Sequence, residues 1–416
     1  MKIALVAGEA SGDTHGAALM QELQKKISDI IFLGLGGPKM LAATQQHQAG
    51  GWRLEAEGFQ NQQNISDHKL SLSSNHNYEL PTTNSHRKAM NMDNWIDESA
   101  VLGLWDVIKK YGYFRKKFSS LLKQLEHEKP EAIILIDYAG FNLRLAKAIR
   151  RRKLPIKIIK YISPQVWAWN RRRIPEMARN LDLMICIFPF EEKVYEASGL
   201  ATSFLGHPLV EKLMALQPKL EREERLLGLF PGSRSREVHH IFPVMAAAAK
   251  RVIAENSAIR CEAAAATALH AQEMKAMAAK IGVPITITMG QAHCLMQRAT
   301  FGLVCSGTAT LEAAALGLPY ALVYKATPLT AIVARALIKV PYLGIVNILA
   351  GRPVVKEFLQ GAATPQALAQ EVSHFLKHQD AALQLSREVM AVAATLRSEG
   401  AYERAAATIA EVLKNI

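Results

Sequence analysis

The 416-residue sequence contains few cysteines and no unbroken long apolar run, and each shortage excludes a class of protein. The cysteines are far apart, so their spacing suits neither a zinc site nor a disulfide scaffold, and we expect buried structural thiols in a reducing cytoplasm. The longest apolar stretch, 331–350, is interrupted by two cations and a proline, which excludes a single bilayer-spanning helix. The cysteines are Cys186, Cys261, Cys294 and Cys305.

Acidic residues are scarce relative to basic ones: 37 Asp and Glu stand against 50 Lys and Arg, a formal net charge of +13. A positive field of this kind attracts nucleic acid, anionic lipid or phosphorylated small molecules. The sequence contains no recognisable nucleic-acid-binding motif, so we expect no nucleic-acid partner. The apolar start, Ile3 to Ala7, is followed by Glu9 and Asp13 and therefore predicts a first strand instead of a signal peptide.

Short β-rich runs alternate with glycine-bearing turns and helical stretches, the pattern of α/β proteins with parallel sheets. The runs form two sets that separate near residue 210, and a chain of 416 residues is long enough for two hydrophobic cores. We predict an N-terminal domain over 1–210, a C-terminal domain over 211–385 and a terminal helix over 386–416 that packs back onto the chain or onto a partner subunit. The predicted strands are Ile3–Ala7, Ile30–Gly34, Ala132–Ile136, Ile156–Ile162, Leu183–Phe188, Leu226–Phe230, Ile259–Ala263, Ile285–Met289, Phe301–Cys305 and Tyr320–Tyr324.

One segment, about 60–94, departs from this pattern because it is rich in Asn, Gln, His and Ser and poor in large apolar residues. Such a composition cannot form a core, so we predict a mobile polar insertion in the first domain. Its histidines suit either a metal site or plain solvation, and solvation is the commoner state of histidine in polar sequence. We predict no metal site.

Two loops of the first domain follow predicted strands. The small-residue turn Gly8 to Asp13 either presents backbone amides to a ligand or only caps the next helix. Asp137 follows the strand 132–136, at the edge where open α/β sheets bind ligands. It is a candidate general base, and helix capping is the alternative.

Two loops of the second domain also follow strands, and together they predict nucleotide binding. Pro231 to Arg234 and Ser306 to Ala309 present small residues and free amides to which a diphosphate could bind, and Arg234 adds a cation. Glu312, one turn into the next helix, could reach the hydroxyls of a ribose.

Residues 104–118 combine large apolar and aromatic side chains with five cations. This composition is typical of a helix that lies in a membrane interface, where aromatic rings enter the headgroup region and cations meet anionic lipid. A core-facing helix with a basic outer side has the same composition. From the residues alone, both interpretations stay open.

In their order along the chain, several short motifs resemble the lipid-A-disaccharide synthase family of Gram-negative bacteria. The run Ser163 to Trp169 is especially specific. The resemblance implies an α/β GT-B fold, with two Rossmann-like parallel-sheet domains facing across a cleft and the donor nucleotide held mainly by the second. The other matching pieces are Ala7 to Asp13, Val101 to Gly103, Ile136 to Asn142, Gly206 to Pro208, Pro231 to Arg234, Ser306 to Glu312 and Asn347 to Arg352.

The resemblance further implies inverting transfer of 2,3-diacylglucosamine from its UDP derivative to 2,3-diacylglucosamine 1-phosphate, which gives the β-1,6 lipid A disaccharide 1-phosphate and UDP. One base is needed, and Asp137 is at the family's candidate position. No cofactor and no metal are implied. The residues implied around the UDP-sugar are Ser11, Gly232, Ser233, Arg234, Ser306, Gly307, Thr308, Ala309, Glu312, Asn347, Arg352 and Glu357.

Acylated substrates lie in a bilayer, so the resemblance favours the membrane-docking interpretation of residues 104–118. It implies a cytoplasmic enzyme that is peripheral on the cytoplasmic face of the inner membrane, and it allows a homodimer formed through the C-terminal helix. The rival of the same fold is a UDP-N-acetylglucosamine 2-epimerase, which would isomerise the sugar and need no docking helix. The implied docking residues are Trp105, Val107, Ile108, Tyr111 and Phe114.

Overall fold

The computed structural model describes residues 1–46, 92–96, 111–327, 340–397 and 399–414. Contacts within the chain group it into two units, Met1–Tyr161 with Ala405–Ile416, and Ile162–Arg404. These units divide the chain between residues 161 and 162, whereas the predicted boundary near residue 210 falls between the strands of the two sheets described next. The domain ranges 1–210, 211–385 and 386–416 stay predictions.

The first sheet has seven strands among the described residues. They are β1 (Lys2–Ala7), β2 (Ile31–Gly36), β3 (Met92–Asn94), β4 (Ala132–Ile136), β5 (Lys157–Tyr161), β6 (Leu183–Cys186) and β7 (Thr202–Phe204). Their order in the sheet is β3-β2-β1-β4-β5-β6-β7. The strand pairs with a described register are parallel. This order is that of dinucleotide-binding folds.

The second sheet has six described strands and repeats the same order. They are β8 (Leu226–Phe230), β9 (Arg260–Ala265), β10 (Thr286–Met289), β11 (Phe301–Cys305), β12 (Tyr320–Tyr324) and β13 (Glu357–Leu359). Their order is β10-β9-β8-β11-β12-β13, and all of the pairs are parallel. The two parallel sheets with intervening helices confirm the predicted α/β class.

Helices follow most strands. In the described part of the chain they are α1 (Ala10–Lys26), α2 (Pro38–Gln46), α3 (Tyr111–Glu128), α4 (Ala139–Arg151), α5 (Val166–Trp169), α6 (Ile174–Asn180), α7 (Phe190–Glu196), α8 (Pro208–Met214), α9 (Ser235–Glu255), α10 (Ala268–Ile281), α11 (Ala292–Arg298), α12 (Thr308–Ala315), α13 (Ile345–Ala350), α14 (Pro365–Lys377), α15 (Gln379–Ala394) and α16 (Ala401–Lys414). None of these described helices is long and apolar enough to cross a bilayer.

Burial explains why the apolar runs become central strands and amphipathic helices. All five residues of β4 are fully buried, as expected for a parallel strand that is covered on both faces. On α9, Val238, Ile241, Phe242 and Met245 recur at helical spacing and are fully buried in the core of the second unit. This helix thus covers the second sheet with one apolar face.

The polar segment predicted as a loop over 60–94 ends earlier than expected, because Met92–Asn94 is β3 and pairs with β2. Its other residues lie outside the described part of the chain. The residue that follows β3, Trp95, is buried, and its indole Nε1 donates to the Ala7 carbonyl at 2.6 Å. The end of the polar segment is therefore part of the sheet.

The C-terminal stretch contains two helices, α15 and α16, with a break before Ala401. In α16, Ile409 and Leu413 are buried, and residues 405–416 group with the first unit. The last helix thus buries its apolar side chains within this chain.

Candidate active site

A pocket of about 350 Å³ lies in the second unit, beyond the carboxyl ends of β8, β9 and β11. This is the edge at which open parallel sheets bind ligands. Ala264 to Ala266, at the end of β9, and Gly290 add a small-residue wall that sequence reasoning missed, because alanines there carry no distinctive signal. Eight of the twelve residues predicted around the UDP-sugar line the pocket: Gly232, Ser233, Arg234, Ser306, Gly307, Thr308, Ala309 and Glu312.

The loop after β8 is held in shape by Glu237, an acid of α9 that was not predicted. Its Oε2 accepts the backbone N–H groups of Ser233 at 3.2 Å and Arg234 at 3.3 Å. Its Oε1 accepts from Arg234 Nη1 at 2.9 Å, while 69% of the Arg234 side chain stays exposed. Gly232 has φ +105°, a backbone conformation that favours glycine. The loop therefore presents a cation that a carboxylate aligns. The prediction of free amides was wrong for Ser233 and Arg234, because Glu237 binds both N–H groups.

The loop after β11 leads into the N-terminus of α12. Gly307 is the residue before the helix and has φ +144°, and the first turn of α12 contains no acidic residue. Helix N-termini carry unpaired N–H groups and partial positive charge, which suit a phosphate. Burial raises the pKa of the neighbouring Cys305 to about 12, so its thiol stays neutral and adds no negative charge.

A carboxylate and an imidazole meet at the side of the pocket. Glu312 of α12 and His293 of α11 approach to 3.3 Å between Oε2 and Nε2. A carboxylate at this place can accept hydrogen bonds from ribose hydroxyls, as acids do in dinucleotide folds. His293 was missed at the sequence level because a single histidine within a helical run carries no motif.

Three of the residues predicted around the UDP-sugar do not line the pocket but lie elsewhere in the second unit. Asn347 is fully buried, and its Nδ2 donates to Val355 O and to Glu357 Oε1, both at 2.8 Å. Glu357 also accepts from the N–H groups that precede α13. Arg352 pairs with Glu388 at 2.9 Å. These contacts organise the chain around α13, and a binding role for the three residues stays a prediction.

The candidate base Asp137 belongs to a turn of unusual backbone geometry in the first unit. Asp137 has φ +42° and Tyr138 has φ +43°, although neither is a glycine. The Asp137 N–H donates to the Tyr161 carbonyl at 2.9 Å. Burial lowers the pKa of nearby His15, and the Asp137 carboxylate opposes that shift. The side chain of Asp137 is half-buried, so it can meet both protein and substrate.

The turn Gly8 to Asp13 lies at the same sheet edge, because β1 and β4 are neighbours and Ala7 pairs with Ile136. A Cβ on Gly8 would lie 2.4 Å from the Tyr138 ring, so the glycine permits close packing of the two loops. Ser11 is exposed in the first turn of α1. The structure thus brings Ser11 and Asp137 to one edge of the first sheet.

Of the implied docking residues, Trp105, Val107 and Ile108 lie outside the described part of the chain. Tyr111 begins α3, and 61% of its surface is exposed. The half-buried Phe114 packs edge-on against the buried Trp95, with ring centroids 6.1 Å apart, so it attaches the helix to the protein.

The motif Ser163 to Trp169 is organised by a buried acid, Glu191 of α7. Glu191 Oε1 accepts from Trp167 Nε1 at 3.0 Å, and Ser163 Oγ lies 2.8 Å from Tyr195 Oη. Burial raises the pKa of Glu191 to about 7. This internal hydrogen-bond network accounts for Ser163 and Trp167 of the motif. In the described ranges, no group of three or more His, Cys, Asp or Glu side chains could hold a metal ion.

Comparison with known proteins identifies a family. The family model for lipid-A-disaccharide synthetase matches residues 3–61 and 84–412, which leaves out part of the polar insertion. Lipid-A-disaccharide synthase 1 of Legionella pneumophila (strain Philadelphia 1) is 35% identical, over 90% of this chain and 88% of the relative. Lipid-A-disaccharide synthase of Geobacter sulfurreducens is 32% identical, over 99% of this chain and 97% of the relative.

Solved structures are similar in fold at low sequence identity. A UDP co-structure of MnaA from S. aureus matches with a TM-score of 0.61 and 12% identity, over 100% of this chain and 97% of that one. MurG of Acinetobacter baumannii matches with a TM-score of 0.53 and 14% identity, over 99% of both chains. Likeness at this level shows the GT-B fold alone, whereas the two sequence relatives are 32–35% identical over 90–99% of this chain. The chain therefore belongs to the lipid-A-disaccharide synthetase family and is a glycosyltransferase.

Proposed function

We propose that this enzyme transfers 2,3-diacylglucosamine from UDP-2,3-diacylglucosamine to 2,3-diacylglucosamine 1-phosphate with inversion at the anomeric carbon. The products are the β-1,6-linked lipid A disaccharide 1-phosphate and UDP. The observation that carries the proposal is the pocket of the second unit, where Arg234, the N-terminus of α12 and Glu312 lie together. Family membership supports the same reaction.

The donor's diphosphate would bind between the loop that contains Arg234 and the N-terminus of α12. Negative charge grows on the diphosphate as the sugar leaves, and fixed donors at that position stabilise the transition state. Glu237 aligns the Arg234 guanidinium, and the exposed side chain of Arg234 is accessible to a phosphate. Glu312 would hold the ribose, and a ring N–H of His293 can donate to Glu312 or to the nucleotide.

The acceptor's 6-hydroxyl would be deprotonated by Asp137. In one step the acceptor O6 forms a bond to the donor's anomeric carbon, the bond from that carbon to UDP breaks, and the hydroxyl proton moves to the Asp137 carboxylate. A single in-line displacement of this kind converts an α-linked donor to a β-linked product and needs only one base. Ser11 lies at the same sheet edge and is a candidate contact for a substrate.

The acyl chains of both substrates place the reaction at a bilayer, and we assign the docking surface to residues 104–118. Tyr111 supports this assignment by its exposure, and the charges of this segment suit the anionic cytoplasmic leaflet of the inner membrane. The enzyme would then be peripheral to that face. We also propose that the protein can form a homodimer through its C-terminal helix. A measurement of its molecular size in detergent would test this.

The experiment is a transfer assay with purified protein, both lipid substrates and mass detection of the products. We expect UDP and disaccharide in equal amounts, and only when both substrates are present. Asp137→Asn should keep UDP binding and lower kcat by about 10²- to 10⁴-fold, the usual contribution of a general base. Asp93→Asn makes the same change at an exposed aspartate of the first unit and should leave kcat unchanged. A sugar isomerised without acceptor would identify an epimerase instead.

A further inference from the structure

A lysine is completely buried near the carboxyl end of β5, an interior strand of the first sheet. Lys160 is the penultimate residue of β5 and has no exposed surface. Its ammonium donates to three main-chain carbonyls, those of Leu135 at 3.1 Å, Asp137 at 2.6 Å and Tyr161 at 3.2 Å. An ammonium has three N–H donors, and burial of such a charge is tolerated only when it is well hydrogen-bonded. The three carbonyls meet this requirement.

The carbonyls that Lys160 binds surround the turn that presents the candidate base. Left-handed backbone at a residue other than glycine costs about 1–3 kcal/mol and persists only where the surroundings hold it. Here two such residues, Asp137 and Tyr138, follow each other. The buried Asn142 helps, because its Nδ2 donates to the Asp137 carbonyl at 2.9 Å and to the Ile136 carbonyl at 3.0 Å.

A lysine at the end of a strand could serve stability alone. The contact with the Asp137 carbonyl argues for more, because that oxygen belongs to the same residue as the catalytic carboxylate. Loss of this contact would free the peptide that joins Asp137 to Tyr138, so the left-handed turn that carries the Asp137 side chain would no longer be held from this side. The Lys160 contact is the shortest of those that hold this carbonyl, and a charged donor makes it stronger than the amide contact from Asn142.

We propose that Lys160 is a positioning residue for the transfer reaction: its buried ammonium fixes the left-handed turn and thereby holds the Asp137 carboxylate where it accepts the acceptor's proton. The inference rests on the proposed role of Asp137 as the base. Lys160 does not touch substrate in this account. Its effect should therefore reach kcat through Asp137 and leave binding of the UDP-sugar, which the second unit performs, unchanged.

The test is Lys160→Met, which keeps an unbranched side chain of similar length and removes all three donors. Because misplacement of a reacting group by about 1 Å can cost 10²-fold in rate, we expect kcat to fall by about 10- to 100-fold. The KM for the UDP donor and the Kd for UDP should change by less than about twofold on the same reasoning. Lys157→Met, a half-buried lysine of the same strand, is the matched control and should keep wild-type kcat.

A double-mutant cycle separates positioning from general stability. If Lys160 acts through Asp137, adding Lys160→Met to Asp137→Asn should cause no further loss of kcat. Independent losses that multiply would overturn the positioning role, as would wild-type kcat in Lys160→Met. If Asp137→Asn alone retains full turnover, the base assignment fails and the inference fails with it. Wild-type kcat in Lys160→Met beside an inactive Asp137→Asn overturns the inference alone.

A second variant covers the case in which Lys160→Met does not fold. Lys160→Gln keeps two N–H donors on a shorter side chain. We expect it to fold, by circular dichroism, and to retain more kcat than Lys160→Met or, where that variant is unfolded, a measurable fraction of wild-type kcat with unchanged UDP affinity. A folded Lys160→Gln whose donor KM rises while kcat stays at the wild-type value would contradict the proposal.

Discussion

Gly232→Ala tests whether the loop after β8 forms the donor site. The glycine has φ +105°, and a Cβ there would lie 2.4 Å from Glu237 Oε2 and 3.2 Å from Cys305 Sγ. The carboxylate cannot simply move aside, because the same Oε2 accepts the N–H groups of Ser233 and Arg234. The methyl group must therefore disturb the hydrogen bonds that shape the loop.

The expected magnitude follows from the backbone strain. Left-handed backbone at a residue other than glycine costs about 1–3 kcal/mol. The alanine variant can relieve this strain only by leaving the loop conformation that binds UDP. At about 1.4 kcal/mol for each tenfold change in affinity, UDP should then bind about 5- to 150-fold more weakly. Displacement of Glu237 also frees Arg234, which adds to the loss.

The assay is isothermal titration of UDP into wild type, Gly232→Ala and Gly361→Ala. Gly361 belongs to the same unit, its backbone is not left-handed, and a Cβ there would meet nothing within 4 Å. The control should therefore bind UDP like the wild type. Wild-type UDP affinity in Gly232→Ala, with an unchanged melting temperature, would show that this loop does not hold the nucleotide.

Two further changes test the buried acid and the docking segment. Since burial raises the pKa of Glu191 to about 7, its folded form holds a proton that the unfolded chain releases near pH 4.5, so its contribution to stability is complete below pH 4.5 and is lost as the pH rises through 7. In urea titrations, the free energy of unfolding of the wild type should fall by on the order of 3 kcal/mol between pH 4.5 and pH 8, and Glu191→Gln should lack this loss. Equal losses in the wild type and in Glu191→Gln would refute the assignment. Trp105→Ser with Ile108→Ser should lower the partition coefficient onto anionic vesicles by about 100-fold or more, because burial of each apolar side chain contributes about 1.5–3 kcal/mol. Unchanged partition would leave residues 104–118 without a membrane role.

The sequence predicted the central strands more accurately than the edge strands. The observed β4, β8, β11 and β12 have the predicted bounds, because each is a continuous apolar run buried on both faces. The short strands β3, β7 and β13 were missed. Each has three residues, and pairing with a longer neighbour forms them, which a local pattern does not reveal. The polar Met92–Asn94 is the clearest case, since its composition favoured a loop.

The pocket was more predictable than its supports. Glycine, serine and arginine after apolar strands indicated the two loops, because parallel sheets bind ligands at that edge. No sequence motif marks Glu237, His293 or Lys160. Along the chain, Glu237 is 3 residues from Arg234, His293 is 19 residues from Glu312, and Lys160 is 23 residues from Asp137. Their roles depend on distances that only the folded chain provides. Asn347 and Glu357 show the converse, since motif resemblance selected residues that the structure places in an internal network.

The most direct test of the central claim is the configuration of the new glycosidic linkage, read by proton NMR from disaccharide made by the wild-type enzyme. Inversion by a single base predicts one β-1,6 disaccharide 1-phosphate for each UDP released, and a trace amount with Asp137→Asn. An α-linked product would contradict the single displacement. A UDP-sugar isomer formed without any disaccharide would contradict the transferase assignment itself.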